Sequence, residues 1–376
     1  MREYVAWRIL THEKWRSLLA TSGIFIAVVL IFLQLGFYSS VPRGGMLVYS
    51  HMRFDILLTS DAYSFQARSG NFPRVRLYQA LALPEVASAV PFYEGAATWR
   101  NLEDREARRV FIMAFNPQDK IIDAPELVRQ AAVLRQPDTV LVDSANKPEF
   151  GPPDVGRTVE IGGRAVRIGG TYTLGLGFLG VGVGVTSAVN FSRLFPNQPL
   201  TDVNLGLVTL KPGSDAEKVA AALRRLLPPD TRVFTRASLA DYEVGYWVKA
   251  TSTGLIFGFG VIVAFIVGLV ILFQILSTQV TRNLKQYATL KAMGFTDRYL
   301  GGIVVRQAVL MSVIAFLPAL GVALLAYQST RQSTGLPIYM TLDRVLLVFG
   351  VTLVMATGSG LLALRVVRRA DPVELF

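Results

Sequence analysis

Leu255-Ile-Phe-Gly-Phe-Gly-Val-Ile-Val-Ala-Phe-Ile-Val-Gly-Leu-Val-Ile-Leu-Phe-Gln-Ile-Leu276 carries no charged residue. At about 1.5 Å of rise per residue, a helix of about 20 residues crosses a hydrocarbon core of about 30 Å. Three other apolar runs have that length: Leu18 to Tyr38, Ile303 to Tyr327 and Val345 to Leu364. One run therefore stands near the N-terminus and three in the last third, with a long, mostly polar stretch between. The pattern predicts an α-helical membrane protein with four transmembrane helices and a large mixed α/β extracytoplasmic domain inserted between helices 1 and 2.

Of the 376 residues, 52% are hydrophobic and 17% charged, and the charges lie mainly outside the four runs. The net charge of +11 could suggest a nucleic-acid partner. Its distribution argues otherwise, because Val41 to Ala250 holds 24 Lys/Arg against 21 Asp/Glu. Most of the surplus flanks the runs: Arg2, Arg8, Lys14 and Arg16 before the first, Arg282, Lys285, Lys291 and Arg298 between the second and third, and Arg365, Arg368 and Arg369 after the fourth. In a four-pass topology these segments share one side, which the positive-inside rule makes cytoplasmic. The charge is topological, and no nucleic-acid partner is expected. The first run is too long for a signal peptide and no small-x-small cleavage site follows Tyr38, so it is read as a retained anchor.

The resulting division is a cytoplasmic amphipathic N-terminal segment at 1–16, a first span at 17–40, a periplasmic domain at 41–250 with an inserted subdomain at about 120–200, and a second span at 251–277. A cytoplasmic loop at 278–302, a third span at 303–327, a short periplasmic loop at 328–342, a fourth span at 343–364 and a cytoplasmic tail at 365–376 complete it. In the N-terminal segment Val5, Trp7, Ile9 and Leu10 share one arc opposite Arg8 and His12. That fits either a short helix in the headgroup layer or an extension of the first span.

In the 41–250 domain, Arg53 to Thr59, Arg109 to Ala114, Val203 to Leu210 and Thr231 to Thr235 read as strands. Val159 to Ile168 reads as a hairpin turning at Gly162-Gly163. Helices are expected over Arg74 to Leu83 and over Asp215 to Leu227, the second with Asp215 at its N-cap. A further helix from about Ser238 is expected to run on into the second span.

Sites for chemistry are scarce. Gly175-Leu-Gly-Phe-Leu-Gly180 has dinucleotide-loop spacing but follows a hairpin and lacks a good helix and an acidic partner, so it reads as a glycine-rich loop. No Gly-x4-Gly-Lys-Ser/Thr loop occurs, so the chain has no phosphate loop of its own for ATP. Cysteine is absent, and the two histidines, His12 and His51, fall on opposite sides of the membrane. No metal site or catalytic triad can be assembled from them. The run Glu103-Asp104-Arg105-Glu106 reads as a solvated turn.

The four apolar runs hold no Asp, Glu, Lys or His, only Gln34, Gln274 and Gln307, with Arg306 near the inner surface. Ion-coupled transport, which needs such groups, is therefore disfavoured. Small residues mark helix packing at Gly254, Gly258 and Gly268, with Gly321, Gly358, Ser359 and Gly360 in the last two spans, and Pro318 is a potential kink in the third. Four helices per chain enclose little, so a homodimer is expected.

The loop Thr281-Arg-Asn-Leu-Lys-Gln-Tyr-Ala-Thr-Leu-Lys-Ala-Met-Gly-Phe-Thr-Asp297 resembles the cytoplasmic loop of FtsX/MacB-type ABC transporter permeases. Its Ala288 to Phe295 portion is most similar to the DevC subgroup. So are the ends: Ala6-Trp7 through Leu19 with Gly23-Ile24 and Gln34-Leu35-Gly36, and Arg369-Ala-Asp-Pro-Val-Glu-Leu-Phe376. Gln286 and Ala288 depart from the acidic residue and glycine common in MacB-like loops. The resemblance implies an ATPase-coupling loop at Thr289, Leu290, Lys291, Ala292, Met293, Gly294 and Phe295. In it Leu290, Met293 and Phe295 would fill a groove on the ATPase, and Ala292 and Gly294 would permit close approach.

It further implies an exporter permease that transmits ATPase-driven motion to its periplasmic domain. The ABC ATPase subunit would be separate and would hold ATP and Mg, leaving no cofactor and no enzymatic activity in this chain. A periplasmic membrane-fusion adaptor, an outer-membrane TolC-like channel, and a membrane lipid or other amphiphile as cargo follow from the DevC likeness. The alternatives are an FtsX-like scaffold activating a cell-wall hydrolase and a lipoprotein-releasing permease.

Overall fold

The computed structural model describes residues 14–104, 106–175, 182–282, 284–334 and 336–368. The N-terminal amphipathic segment up to residue 13, the glycine-rich loop from Leu176 to Gly180 and the tail from Arg369 lie outside the described residues. The chain forms two compact units, one within Met1–Ser40, Ser252–Ser333 and Ile338–Phe376, the other Val41–Thr251 with Thr334–Pro337.

The first unit holds helices long and apolar enough to cross a membrane, with spans Thr21–Gly45, Gly254–Arg282, Arg298–Ser333 and Leu342–Ala363. The third helix, Asp297–Thr334, continues through Pro318. Its interior is apolar, with Ile24, Val28, Ile31, Phe32, Leu272, Met311, Ala315, Phe316 and Met355 all buried.

The second unit is built on a nine-stranded sheet ordered β11-β1-β10-β3-β4-β8-β5-β7-β6. In chain order the strands are β1 (Ile56–Ser60), β2 (Phe72–Pro73), β3 (Val86–Arg100), β4 (Arg108–Phe115), β5 (Thr139–Asp143), β6 (Thr158–Ile161), β7 (Arg164–Tyr172), β8 (Gly182–Ser187), β9 (Asp202–Val203), β10 (Leu205–Leu210) and β11 (Thr231–Thr235). The long strand β3 serves two partners. Up to Phe92 it pairs with β10. From Tyr93 it pairs with β4, and its last residues pair with β6 through Trp99 and Ile161. That second contact closes β3, β4, β8, β5, β7 and β6 into a barrel.

The strand alternation explains the closure. Along β4, Val110, Ile112 and Ala114 belong to one apolar cluster and Phe111, Met113 and Phe115 to another, as a side-chain period of two requires. The first cluster includes Trp99, Val140, Val142, Val159, Ile161, Val166 and Ile168, contributed by the barrel strands. Because both faces of β4 are covered, its sequence reads as a continuous apolar run.

In the segment expected to form an inserted subdomain at about 120–200, strands β8, β5, β7 and β6 pair with one another, and β4 and β3 join their two edges to close the barrel. The Gly162-Gly163 turn of the β6–β7 hairpin has both residues at positive φ, 58° and 79°, as a tight two-residue turn demands. Asp215 caps helix Ala216–Leu226 by accepting from the Glu217 and Lys218 amides.

One expectation fails. The helix after β11 begins at Arg236, where Thr235 and Ser238 form a reciprocal capping box, and ends at Gly245. A π-turn, Tyr246–Ala250, and an extended Thr251 (φ −105°, ψ 150°) then separate it from the helix Ser252–Arg282. Thr251 cannot continue a helix at that ψ, so no unbroken rod enters the second span.

Candidate functional site: the helix between the second and third spans

Helix Leu284–Ala292 follows the second span, and Asp297 opens the third helix. The turn between them is closed at both ends. The Gly294 amide donates to the Lys291 carbonyl at 3.0 Å and the Phe295 amide to the Leu290 carbonyl at 3.1 Å. These are the two bonds of a Schellman cap, and Gly294 takes the left-handed position at φ 90°. Glycine is favoured there because a side chain would meet its own backbone, whereas the surrounding space is open. Thr296 begins the next helix by accepting from the Tyr299 amide at 3.4 Å.

The short helix has two unlike sides. Tyr287 is buried and Leu290 half-buried in a cluster with Leu276, Val280, Leu300, Val304, Ala308, Ala356 and Ala363 from the adjoining helices. Burial pushes the Tyr287 hydroxyl up to about 12. Thr289, Met293, Gly294 and Phe295 are exposed, Met293 by 62% and Phe295 by 39%. The Phe295 ring lies 4.7 Å from that of Tyr299. Leu290, expected to reach outward, thus faces its own chain, while Met293 and Phe295 form the outward apolar tip. Lys291 is half-buried.

Helix packing is set by close approaches. A side chain on Gly268 would run into Met355 and Ala27, so the first, second and fourth spans meet there. Gly254 is buried, and Gly258 makes ordinary contact with Tyr38. Gly260 and Gly36 are tighter, against Gln34 and Tyr327. Gly321 and Gly358 face open space.

Several polar groups inside the unit are matched. Gln307 donates to Gln279 at 2.6 Å, Ser359 to the Leu269 carbonyl at 3.0 Å, and the Tyr327 hydroxyl to the Phe32 carbonyl. Arg344, which sequence reading left at the edge of the fourth span, is buried; it donates to the Tyr339 carbonyl at 2.6 Å and to Ser39, and lies over the Tyr327 ring. Its signal in the sequence was an arginine opening an apolar run beside tyrosines, where a long cationic side chain can bury its stem.

Two groups of carboxylates in the sheet unit differ in their surroundings. Asp104 and Glu106 pair with Arg108, and Glu103 pairs with Arg157. The Arg108 guanidinium holds the Asp104 carboxyl down to about 2, so this turn is an ion-pair cluster. Glu243 and Glu94 are buried instead. Tyr63 donates to Glu243 and shares a 2.6 Å hydrogen bond with Tyr49. Desolvation pushes Glu243 up to about 7 and Glu94 to about 8. Among the described residues no cluster of three His, Cys, Asp or Glu side chains could hold a metal.

Residues 17–226 match the MacB-like periplasmic core domain family, and residues 255–372 match the FtsX-like permease C-terminal family. The chain belongs to the FtsX/MacB-like permease superfamily. Among solved structures, this FtsX/MacB-like permease is similar to the periplasmic region of MacB from Actinobacillus actinomycetemcomitans, at 10% identity and a TM-score of 0.35 over 50% of this chain and 91% of that one. It is also similar to the extracellular domain of the noncanonic ABC-type transporter YknZ from Gram-positive bacteria, at 14% identity and a TM-score of 0.33 over 48% of this chain and 99% of that one. No curated protein matches it significantly. Permeases of this superfamily are multi-pass membrane subunits without an ATPase motif of their own and work with ABC ATPase partners.

Proposed function

We propose that this permease is the membrane subunit of an ABC exporter, working as a homodimer with two separately encoded ATPases that hold the ATP and Mg. The helix Leu284–Ala292 and its Gly294 turn form the coupling element. The observation that carries this reading is the division of that helix, with Tyr287 and Leu290 held by the chain's own helices and Met293 and Phe295 exposed on a capped turn. An exposed apolar pair on a rigid, short-range-bonded tip suits insertion into a groove of a partner protein. Ala292 and Gly294 are small enough to let the two backbones approach. Both termini and this loop face the cytoplasm, as the flanking basic residues favour.

Nucleotide-driven closure of the ATPases would push the tip, and Tyr287 would pass that displacement to the ends of the spans it touches. The periplasmic domain would respond in shape, working with a membrane-fusion adaptor and an outer-membrane TolC-like channel to export a lipid or other amphiphile in the manner of the DevC subgroup. No catalysis or cofactor in this chain is required.

Affinity purification of the intact protein from native membranes in mild detergent, with partners identified by mass spectrometry, tests this. An ATPase with a membrane-fusion adaptor is the expected result. An ATPase with a peptidoglycan hydrolase would replace the exporter by an activating scaffold, and an ATPase with a bound lipoprotein would indicate lipoprotein release. Absence of any ATPase would overturn the coupling role.

A further inference from the structure

Three separate segments of the sheet unit converge on Glu243, which is 0% exposed. The first is the end of helix Lys14–Gly45, where the chain arrives from the first span. A Cβ on Gly45 would lie 2.7 Å from Trp247 Nε1 and 3.6 Å from Glu243 Oε2, so only a residue without a side chain leaves room there. The second is the π-turn Tyr246–Ala250, which carries Trp247 and leads to the helix of the second span. The third is the stretch after β1, where Tyr63 donates to Glu243 Oε1.

Aromatic rings close the same place. Phe65 stacks on Tyr246 at 5.0 Å between ring centroids and meets Trp247 edge-on at 5.4 Å. The hydroxyls of Tyr63 and Tyr49 share a hydrogen bond of 2.6 Å, and Tyr49 belongs to the short helix Leu47–Ser50 that follows Gly45. Glu243 thus ties the arriving segment, through Tyr63 and Tyr49, to the departing turn at Trp247. The turn joins the second span through the extended Thr251, a non-helical residue.

The groups acting on the Glu243 carboxyl are the Tyr63 hydroxyl, the Trp247 indole and the Gln66 amide, none of them charged. Two guanidinium groups of the network are committed elsewhere. Arg236 donates to the Tyr49 and Met52 carbonyls at 2.9 and 3.0 Å, and Arg232 to the Tyr63 carbonyl at 3.5 Å. Tyr242 donates to that same carbonyl at 3.1 Å. Arg43, Asp241 and Lys249 lie on the same segments but are exposed, where solvent screens them. From β3, Glu94 faces the cluster as a second buried carboxyl, held by Gln66 and Ser69. Ionising Glu243 therefore places a charge in a buried site beside another acid, with uncharged donors alone to receive it.

We propose that Glu243 is a proton-operated latch: its neutral carboxyl holds the arriving segment at Gly45 and the departing turn at Trp247 together, and its ionisation lets both open. Opening admits water to the carboxyl, which is why charge favours the open form. Burial pushes the closed-state carboxyl up to about 7, and water returns it to the ordinary range. The closed form thus binds the proton more tightly. Its stabilisation is complete below the ordinary carboxylate range, is lost as pH rises, and stays lost above about 7. Burial raises Glu94 further, to about 8, so that group stays mostly protonated through this window. The latch belongs to the sheet unit and does not depend on the export reading.

The test is hydrogen exchange, read by mass spectrometry on the detergent-purified full-length protein at about pH 5 and about pH 7.5, with each rate divided by its intrinsic value at that pH. The opening equilibrium should rise at least about tenfold with pH in peptides covering 46–52 and 246–251, both together, while peptides from β4 keep their protection. Glu243→Gln should hold the opening of both segments within about twofold between the two pH values, and Glu94→Gln should retain the rise. Equal opening of the wild-type segments at both pH values, a rise in only one of them, or a rise that persists in Glu243→Gln or vanishes in Glu94→Gln would overturn the proposal.

Discussion

The two units put apolar surface in opposite places. In the sheet unit strand alternation sends large apolar side chains inward, and β1 and β5 are buried along their whole length. In the spanning unit many of them point outward, with Phe259 65% and Leu325 68% exposed. Water penalises the second arrangement and a bilayer does not. The contrast makes exposed apolar residues meaningful only where they fall outside the spans. Met293 and Phe295 are such a pair.

The largest effect should come from the barrel. Trp99 is buried, donates to Asn101 at 2.9 Å and packs edge-on against Phe150. Trp99→Ala should cost about 3–5 kcal/mol, read as a loss of denaturant midpoint in the full-length protein.

Titration of the buried carboxyl groups comes next. Glu243 and Glu94 bind protons more tightly folded than unfolded, so their stability contribution is present below the ordinary carboxylate range and is lost as pH rises through about 7 and about 8. Glu243→Gln keeps an acceptor for Tyr63 and removes the ionisation. It should flatten the decline in stability between about pH 5 and 8 by on the order of 2 kcal/mol, measured as thermal midpoint against pH.

Packing glycines should separate by surroundings. Gly268→Leu drives a side chain into Met355 and Ala27 and should cost about 1–3 kcal/mol. Gly321→Leu enters open space and should stay within about 0.5 kcal/mol in the same detergent unfolding assay. Equal losses at both sites would mean that the spans do not meet at Gly268.

How much of this was legible in the sequence follows from the range of each interaction. The four spans were readable because length and hydropathy alone define them. The Gly162-Gly163 turn and the Asp215 cap were readable because their bonds close within three residues. Closure of the barrel was not, since the pairing of Trp99 with Ile161 joins residues far apart in sequence and β3 gives no local sign of changing partners at Tyr93. The break at Thr251 was also hidden, because a polar helix followed by an apolar one reads as a single rod. At the proposed coupling element the sequence could not assign directions to the residues it singled out. Leu290 and Met293 look alike as apolar residues, and only the packed cluster around Tyr287 shows that the first faces inward.

The smallest effect on folding should accompany the largest on coupling. Met293→Asp combined with Phe295→Asp changes only exposed side chains and is expected to shift stability within about 0.5 kcal/mol. The most direct measurement is the amount of ATPase retained on the purified full-length permease, wild type against this double variant, with thermal midpoints recorded alongside. Loss of most of the ATPase at an unchanged midpoint is the predicted result, whereas full retention of a coupled ATPase would contradict the assignment of the Met293–Phe295 tip.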